Sequence, residues 1–93
     1  MQIINQSKLL YDYRWAPISK DDARVSGEPD SSMLNRREGY EVLYFINKVC
    51  EQFNYTSLEA ALKMERMIRN VVPNEVDSQA GVKDWLHSNW GKF

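Results

Sequence analysis

The side chains that could carry covalent or acid–base chemistry are few in this 93-residue chain. Cys50 projects toward the apolar side of a predicted helix, which predicts a buried thiol, because a reactive thiolate needs exposure and a positive neighbour. His87, the single histidine, is predicted on the polar side of another helix near its C-terminal end, where a solvated imidazole is favoured. The adjacent Asp21 and Asp22 are typical of a solvated turn. The chain is therefore predicted not to be an enzyme.

The sequence also contains no pattern for a cofactor, a metal or a membrane segment. Gly-rich phosphate loops, nucleophile elbows and the ligand spacings of zinc or iron sites do not occur. One cysteine cannot form an intramolecular disulfide, and one histidine cannot build a metal cluster. No run approaches the roughly 18 apolar residues of a membrane span, and the first residues lack the features of a secretory signal. A cytoplasmic protein without a cofactor is the expectation.

The composition is that of an ordinary globular domain, with 43% hydrophobic and 27% charged residues. Twelve basic and thirteen acidic side chains give a net charge of −1. That balance argues against a strongly basic nucleic-acid binder and against an acidic DNA mimic, because both need a strong electrostatic field. The length predicts a single domain over residues 1–93.

Three helices are expected to position any functional surface, and the first is predicted over about 36–53. Asn35 and Glu38 have the spacing of a capping box at its start. Glu41 is predicted on its polar side, and Gly39 faces its apolar side, which suggests close approach of another backbone. The apolar residues fall within one arc of roughly 160°, and they are Val42, Leu43, Phe45, Ile46, Val49, Cys50 and Phe53.

The other two helices are predicted over about 57–71 and 79–90. A capping box of Thr56 and Glu59 begins the second, and the proline after Val72 ends it. The short connection from the first helix predicts that the two are neighbours in a hairpin. Asp77 or Ser78 is expected to cap the third helix, whose two tryptophans predict that it docks on the first two.

An extended N-terminal arm and a long polar loop are predicted over residues 1–32, ahead of a helical core over 33–93. In the arm, Tyr11, Tyr13 and Trp15 alternate with charged residues, a period of two that suits an extended segment with one aromatic face. The arm either packs these rings onto the helices of its own chain or pairs with a second copy. The fold class is predicted to be all-α, a three-helix core with this arm.

The polar face of the first helix is the most informative surface. Tyrosine and arginine are enriched at binding hot spots, so this face favours a non-enzymatic module that contacts a protein partner or forms a homodimer. The alternative is that the arm covers Tyr40 and Tyr44 to make a second small core. The predicted contact residues on the helix and the arm are Arg36, Arg37, Tyr40, Tyr44, Lys48, Tyr11, Tyr13 and Trp15.

A second hypothesis is a nucleic-acid-binding regulator of the helix–turn–helix kind. Lys63, Arg66 and Arg69 lie within two turns of the second helix, where three cations could contact phosphates. Glu65 is predicted to form a favourable i,i+4 pair with Arg69, and Glu59 lies close by. This mixture of signs favours an ordinary solvated helix face over a phosphate-binding surface.

Two segments, LNRREGYEVLYFIN and VKDWLHSNW, resemble small uncharacterised proteins of enterobacterial genomes and their prophages. The resemblance spans about the last two-thirds of the chain and includes no chemical motif, so it assigns no role to any residue. It implies a bacterial or prophage accessory protein.

Overall fold

The computed structural model describes residues 3–15 and 33–93, and these confirm an all-α architecture with a three-helix core. The predicted polar loop, with Asp21 and Asp22, lies outside the described residues. The arm (residues 3–15) contains a short 3-10 turn, and a second 3-10 turn follows the last helix. The elements in chain order are the turn Gln6–Lys8, α1 Gly39–Gln52, α2 Leu58–Asn70, α3 Gln79–Asn89 and the turn Trp90–Lys92.

Helix α1 begins at Gly39, three residues later than predicted, and the expected capping box does not form. Glu38 is the N-cap residue and makes no side-chain cap bond. The cause is the arm, because Arg14 N–H donates to the Arg37 carbonyl at 2.8 Å and Gly39 N–H donates to the Arg14 carbonyl at 2.7 Å. These two bonds hold the chain extended at Glu38, so Arg37 precedes the helix.

The C-terminal end of α1 agrees with the predicted end near Phe53 or Asn54. Asn54 adopts a left-handed conformation, with φ of 60°, which asparagine tolerates better than most residues. Tyr55 N–H then donates to the Cys50 carbonyl at 2.8 Å, as in a Schellman motif. The chain reverses here, and α1 and α2 are neighbours, as the short connection predicted.

Serine side chains cap the other two helices. Ser57, and not Thr56, caps α2 by accepting a hydrogen bond from Ala60 N–H at 3.2 Å. Ser78 caps α3 and accepts from Gly81 N–H at 3.0 Å, which confirms one of the two predicted caps. In the described ranges, no helix combines the length and the apolar character needed to cross a bilayer.

The core lies where α1, α2 and α3 meet, and the arm adds Ile4 to it. Cys50 is fully buried, as predicted, and burial raises the pKa of its thiol to about 11. The thiol is therefore protonated near neutral pH, which is the less reactive form of a cysteine. The fully buried side chains of the three helices include Val42, Phe45, Ile46, Val49, Ala61, Met64, Val82 and Leu86.

Two carboxylates that were predicted on solvated helix faces are buried instead. Glu41 of α1 and Glu65 of α2 are each only 1% exposed. One Glu41 oxygen accepts a hydrogen bond from Asn35 N–H at 3.2 Å. Buried carboxylates are rare unless they are hydrogen-bonded. Each of these two is buried because it accepts hydrogen bonds from backbone N–H groups of another segment.

Gly39 lies under the indole of Trp15, which explains why a glycine occupies the first turn of α1. A Cβ added at this position would lie only 2.5 Å from the Trp15 ring. The group that excludes a Cβ is thus a side chain and not the backbone that was predicted, although Gly39 N–H also donates to the Arg14 carbonyl. The arm therefore contacts the start of α1 both through the Trp15 side chain and through a backbone hydrogen bond.

Gly39→Ala is therefore expected to displace Trp15 and to lower the free energy of unfolding by about 1–2 kcal/mol. The loss should be visible as a red-shifted tryptophan emission and a lower urea midpoint. Gly91→Ala is the matched control, because a Cβ there meets nothing within 4 Å, and its midpoint should stay within about 0.5 kcal/mol of the parent. Equal midpoints for both variants would contradict the packing of Trp15 on Gly39.

Candidate protein-interaction site

The arm lies on α1 and α2 of its own chain, so of the two predicted arrangements the structure shows the intramolecular one. Asn47 of α1 holds the first part of the arm. Its side-chain oxygen accepts hydrogen bonds from Ile3 N–H at 2.7 Å and from Ile4 N–H at 3.0 Å. Its amide nitrogen donates to the Ile4 carbonyl at 2.9 Å. One polar side chain thus takes the place of a strand partner, which this segment does not have among the described residues.

Glu65 of α2 holds the second part of the arm. Its carboxylate accepts hydrogen bonds from Leu10 N–H at 2.8 Å, from Tyr11 N–H at 3.3 Å and from the Tyr13 hydroxyl at 2.6 Å. Burial, followed by this hydrogen bond, raises the pKa of the Tyr13 phenol. The phenol therefore stays protonated and remains a donor to Glu65. Hydrogen bonds to an ionised acceptor are among the strongest in proteins.

Arg69 lies one turn beyond Glu65, over the rings of the two arm tyrosines. Its guanidinium carbon is 5.3 Å from the Tyr11 ring centroid and 5.6 Å from that of Tyr13, within the range of cation–π attraction. Asn70 also donates to the Tyr11 hydroxyl at 2.8 Å. These contacts fix Arg69 in place while leaving the residue exposed.

The arm also covers part of the predicted tyrosine surface of α1. Trp15 packs edge-on against Tyr40 with ring centroids 5.0 Å apart, and against Tyr13 at 6.2 Å. For Tyr40, the alternative of a second small core is therefore the arrangement found. Tyr44 and Lys48 are half-buried farther along α1.

Arg36 was predicted as a partner contact on the helix face, but it precedes α1 and its guanidinium binds inside the molecule. Burial lowers its pKa, and Asp77 and Glu75 oppose that shift, so the group stays charged. Two nitrogens of the guanidinium donate at 2.6–3.2 Å to the carbonyl oxygens of Ile68, Val72, Pro73 and Val76. Arg36 thus ties the end of α2 and the following loop to the start of α1.

A surface groove of about 530 Å³ lies between the arm, the start of α1 and the C-terminal end of α2. It is called the arginine groove here. Three of its residues are the exposed arginines Arg14, Arg37 and Arg69. No hydrogen bond or ion pair in the described ranges joins the guanidinium of Arg14 or Arg37 to another residue. The complete lining is Asp12, Arg14, Asn35, Arg37, Glu38 and Arg69.

The structure thus separates the predicted contact residues. Arg37 lines the groove, Tyr11 and Tyr13 hold Arg69 beside it, and Trp15 packs at the start of α1. Arg36 is internal, and Tyr44 and Lys48 do not line the groove.

The three cations of the nucleic-acid hypothesis have different neighbours. Lys63 donates to the Trp90 carbonyl at 2.9 Å, and its amine lies 4.4 Å from the centroid of that indole. Arg69 lies over the rings of the arm tyrosines, whereas Arg66 is exposed and makes no such contact among the described residues. Two of the three side chains are thus engaged within the fold.

Sequence reasoning missed Arg14, Asp12 and Glu65 as parts of this region. Glu65 could have been found, because Ala61, Glu65 and Ile68 follow the i, i+4, i+7 spacing of a buried helix face. Nothing local marks Arg14, whose position depends on where the arm docks.

Comparison with protein-family models, curated proteins and solved structures found no match. The geometry of the groove is therefore the basis on which a function can be assigned.

Proposed function

We propose that this protein is a small non-enzymatic interaction module that binds another protein at the arginine groove. The observation that supports the proposal is the pair of exposed guanidiniums, Arg14 and Arg37, with no partner in the described ranges. They lie beside Arg69, which the tyrosines hold in place. Arginines next to tyrosines are the residue types enriched at protein-binding hot spots.

The way the arm is held adds to this proposal. Arg14 belongs to the arm, Arg37 to the segment before α1, and Arg69 to α2, and hydrogen bonds to Glu65 and to the backbone at Arg37 join the three. A surface assembled from rigidly connected elements loses less conformational entropy on binding than separate flexible side chains do. The resemblance to prophage proteins suggests that the partner is a bacterial protein.

Affinity capture from an enterobacterial lysate tests the proposal with charge-reversed variants. Arg14→Glu with Arg37→Glu should abolish capture of a discrete partner, because reversing two charges in one interface converts attraction into repulsion. Arg66→Glu with Lys92→Glu is the matched control, since both residues are exposed and neither lines the groove. Circular dichroism should show an unchanged helix content in both double variants.

Light scattering on the same proteins covers the case in which the partner is a second copy. A dimer that the groove variant dissociates and the control variant retains would place the homodimer interface at the groove. Capture or dimerisation that is equal in both variants would overturn the assignment of the groove.

A further inference from the structure

We infer that the ligand of the arginine groove is an acidic peptide segment of the partner protein, with carboxylates spaced to meet Arg14 and Arg37. This inference rests on the proposed function and specifies the chemistry of the partner. Three observations support it: the charges of the groove, the N–H donors of Arg14 and Arg37 that have no acceptor among the described residues, and the contacts that hold Arg69.

The lining of the groove contains three arginines and two carboxylates, so it has an excess of positive charge in a protein whose net charge is −1. Glu38 is largely buried at the start of α1, whereas Arg14, Arg37 and Arg69 are exposed. The part of the groove that a ligand would meet is therefore more positive than the count of its charges suggests. A local positive surface on a near-neutral protein favours a local negative partner.

Hydrogen-bonding capacity points in the same direction. A guanidinium presents five N–H donors in a planar fork that matches a carboxylate. The forks of Arg14 and Arg37 have no acceptor within the described part of the chain, whereas Arg36, between them in sequence, has four carbonyl acceptors. Within the described residues, the fold therefore satisfies the arginine that holds the structure together and leaves the donors of Arg14 and Arg37 for a ligand.

Arg69 adds a cation whose position is already fixed. Its guanidinium carbon lies 5.3 Å from the Tyr11 ring centroid and 5.6 Å from that of Tyr13, and no acceptor among the described residues binds its N–H groups. The cation–π contacts therefore hold the charge without using these donors. A ligand carboxylate can therefore bind with little further ordering of this side chain.

A peptide fits the groove better than a nucleic acid does. A nucleic-acid backbone presents evenly spaced phosphates and binds a continuous positive stripe, whereas Asp12 is exposed within the groove. Lys63, which could extend a stripe along α2, is bound to Trp90. The size of the groove, about 530 Å³, suits a few side chains of a peptide.

Fluorescence anisotropy on the full chain tests the inference with defined probes. The main probe is a short fluorescein-labelled peptide in which Asp and Glu alternate with Gly and Ser. A second peptide replaces Asp and Glu by Asn and Gln, and a labelled oligonucleotide, single-stranded or duplex, is the third probe. The acidic peptide should bind at low salt, and the neutral one should not. The affinity for the acidic peptide should fall about tenfold in the Arg14→Ala, Arg37→Ala double variant. It should stay unchanged in the Arg66→Ala, Lys92→Ala control.

Three results would overturn the inference: equal binding of the acidic and neutral peptides, equal loss in both double variants, or stronger binding of the oligonucleotide. Its failure can be told from that of the proposed function. Groove-dependent capture of a partner without any acidic-peptide binding overturns only the chemistry assigned to the ligand. In the opposite case, binding of the acidic peptide depends on Arg14 and Arg37, but capture of the partner does not. This result supports the ligand chemistry and shows that the partner binds outside the groove.

Discussion

Replacement of Glu65 by alanine should release the arm and lower the free energy of unfolding by about 3 kcal/mol. The substitution removes a buried acceptor from Leu10 N–H, Tyr11 N–H and the Tyr13 hydroxyl, and bonds to charged groups contribute about 1.5–3 kcal/mol each without adding fully. For a domain whose total stability is expected to lie near 5–15 kcal/mol, that is a large fraction. Amide hydrogen exchange should show the loss of protection at Leu10 and Tyr11 directly.

Two further variants separate the hydrogen bonds from a general effect on α2. Glu65→Gln keeps one acceptor oxygen in the same place and should recover roughly half of the lost stability. Glu59→Ala removes an exposed carboxylate from the same helix and should cost no more than about 0.5 kcal/mol. If Leu10 and Tyr11 keep their protection in Glu65→Ala, this carboxylate does not hold the arm.

Replacement of Arg36 by alanine should cost about 3 kcal/mol, because it removes the guanidinium from one carbonyl oxygen of α2 and from three carbonyl oxygens of the residues that follow this helix. In a domain of this size the melting temperature should fall by roughly 15 °C. Thermal unfolding followed by circular dichroism measures the change.

The neighbouring Arg37 supplies the matched control for Arg36. Arg37 is exposed, so Arg37→Ala should leave the melting temperature nearly unchanged. Arg36→Lys keeps the charge but loses the planar fork and should recover less than half of the stability. Similar melting temperatures for Arg36→Ala and Arg37→Ala would contradict the structural role assigned to Arg36.

Periodicity predicted the three helices because an apolar stripe must be buried whatever surrounds it. The helix starts were less predictable where another segment competes for the backbone. At Glu38 the local sequence favours a capping box, but the arm takes the N–H of Gly39, and α1 begins later. At Ser57, no bond from another segment is found among the described residues. At Ser78, the segment around Met33 bridges to the start of α3, with Leu34 N–H donating to the Asp77 carbonyl at 2.8 Å, yet Ser78 keeps its role as the cap. These two starts differ from the prediction by one residue or none.

The candidate site was less predictable than the fold for the same reason. Arg36 and Arg37 are adjacent and chemically identical, yet one binds four internal carbonyls and the other lines the groove. Only the path of the backbone decides between them. The position of Arg14 depends on Glu65, which is buried because the arm brings amide groups to it. The arm and Glu65 each depend on the other for their position, so the local sequence of neither segment predicts the contact.

The bond between Leu10 and Glu65 joins residues 55 positions apart in the chain. During synthesis on the ribosome, the arm is made before α2, which carries its acceptor. The arm can therefore dock only after the residues of α2 have been made, since a contact of this separation cannot form until both ends exist. Until then Ile4 and the aromatic side chains of the arm stay accessible to chaperones, and Arg14 reaches its place in the groove at that late step.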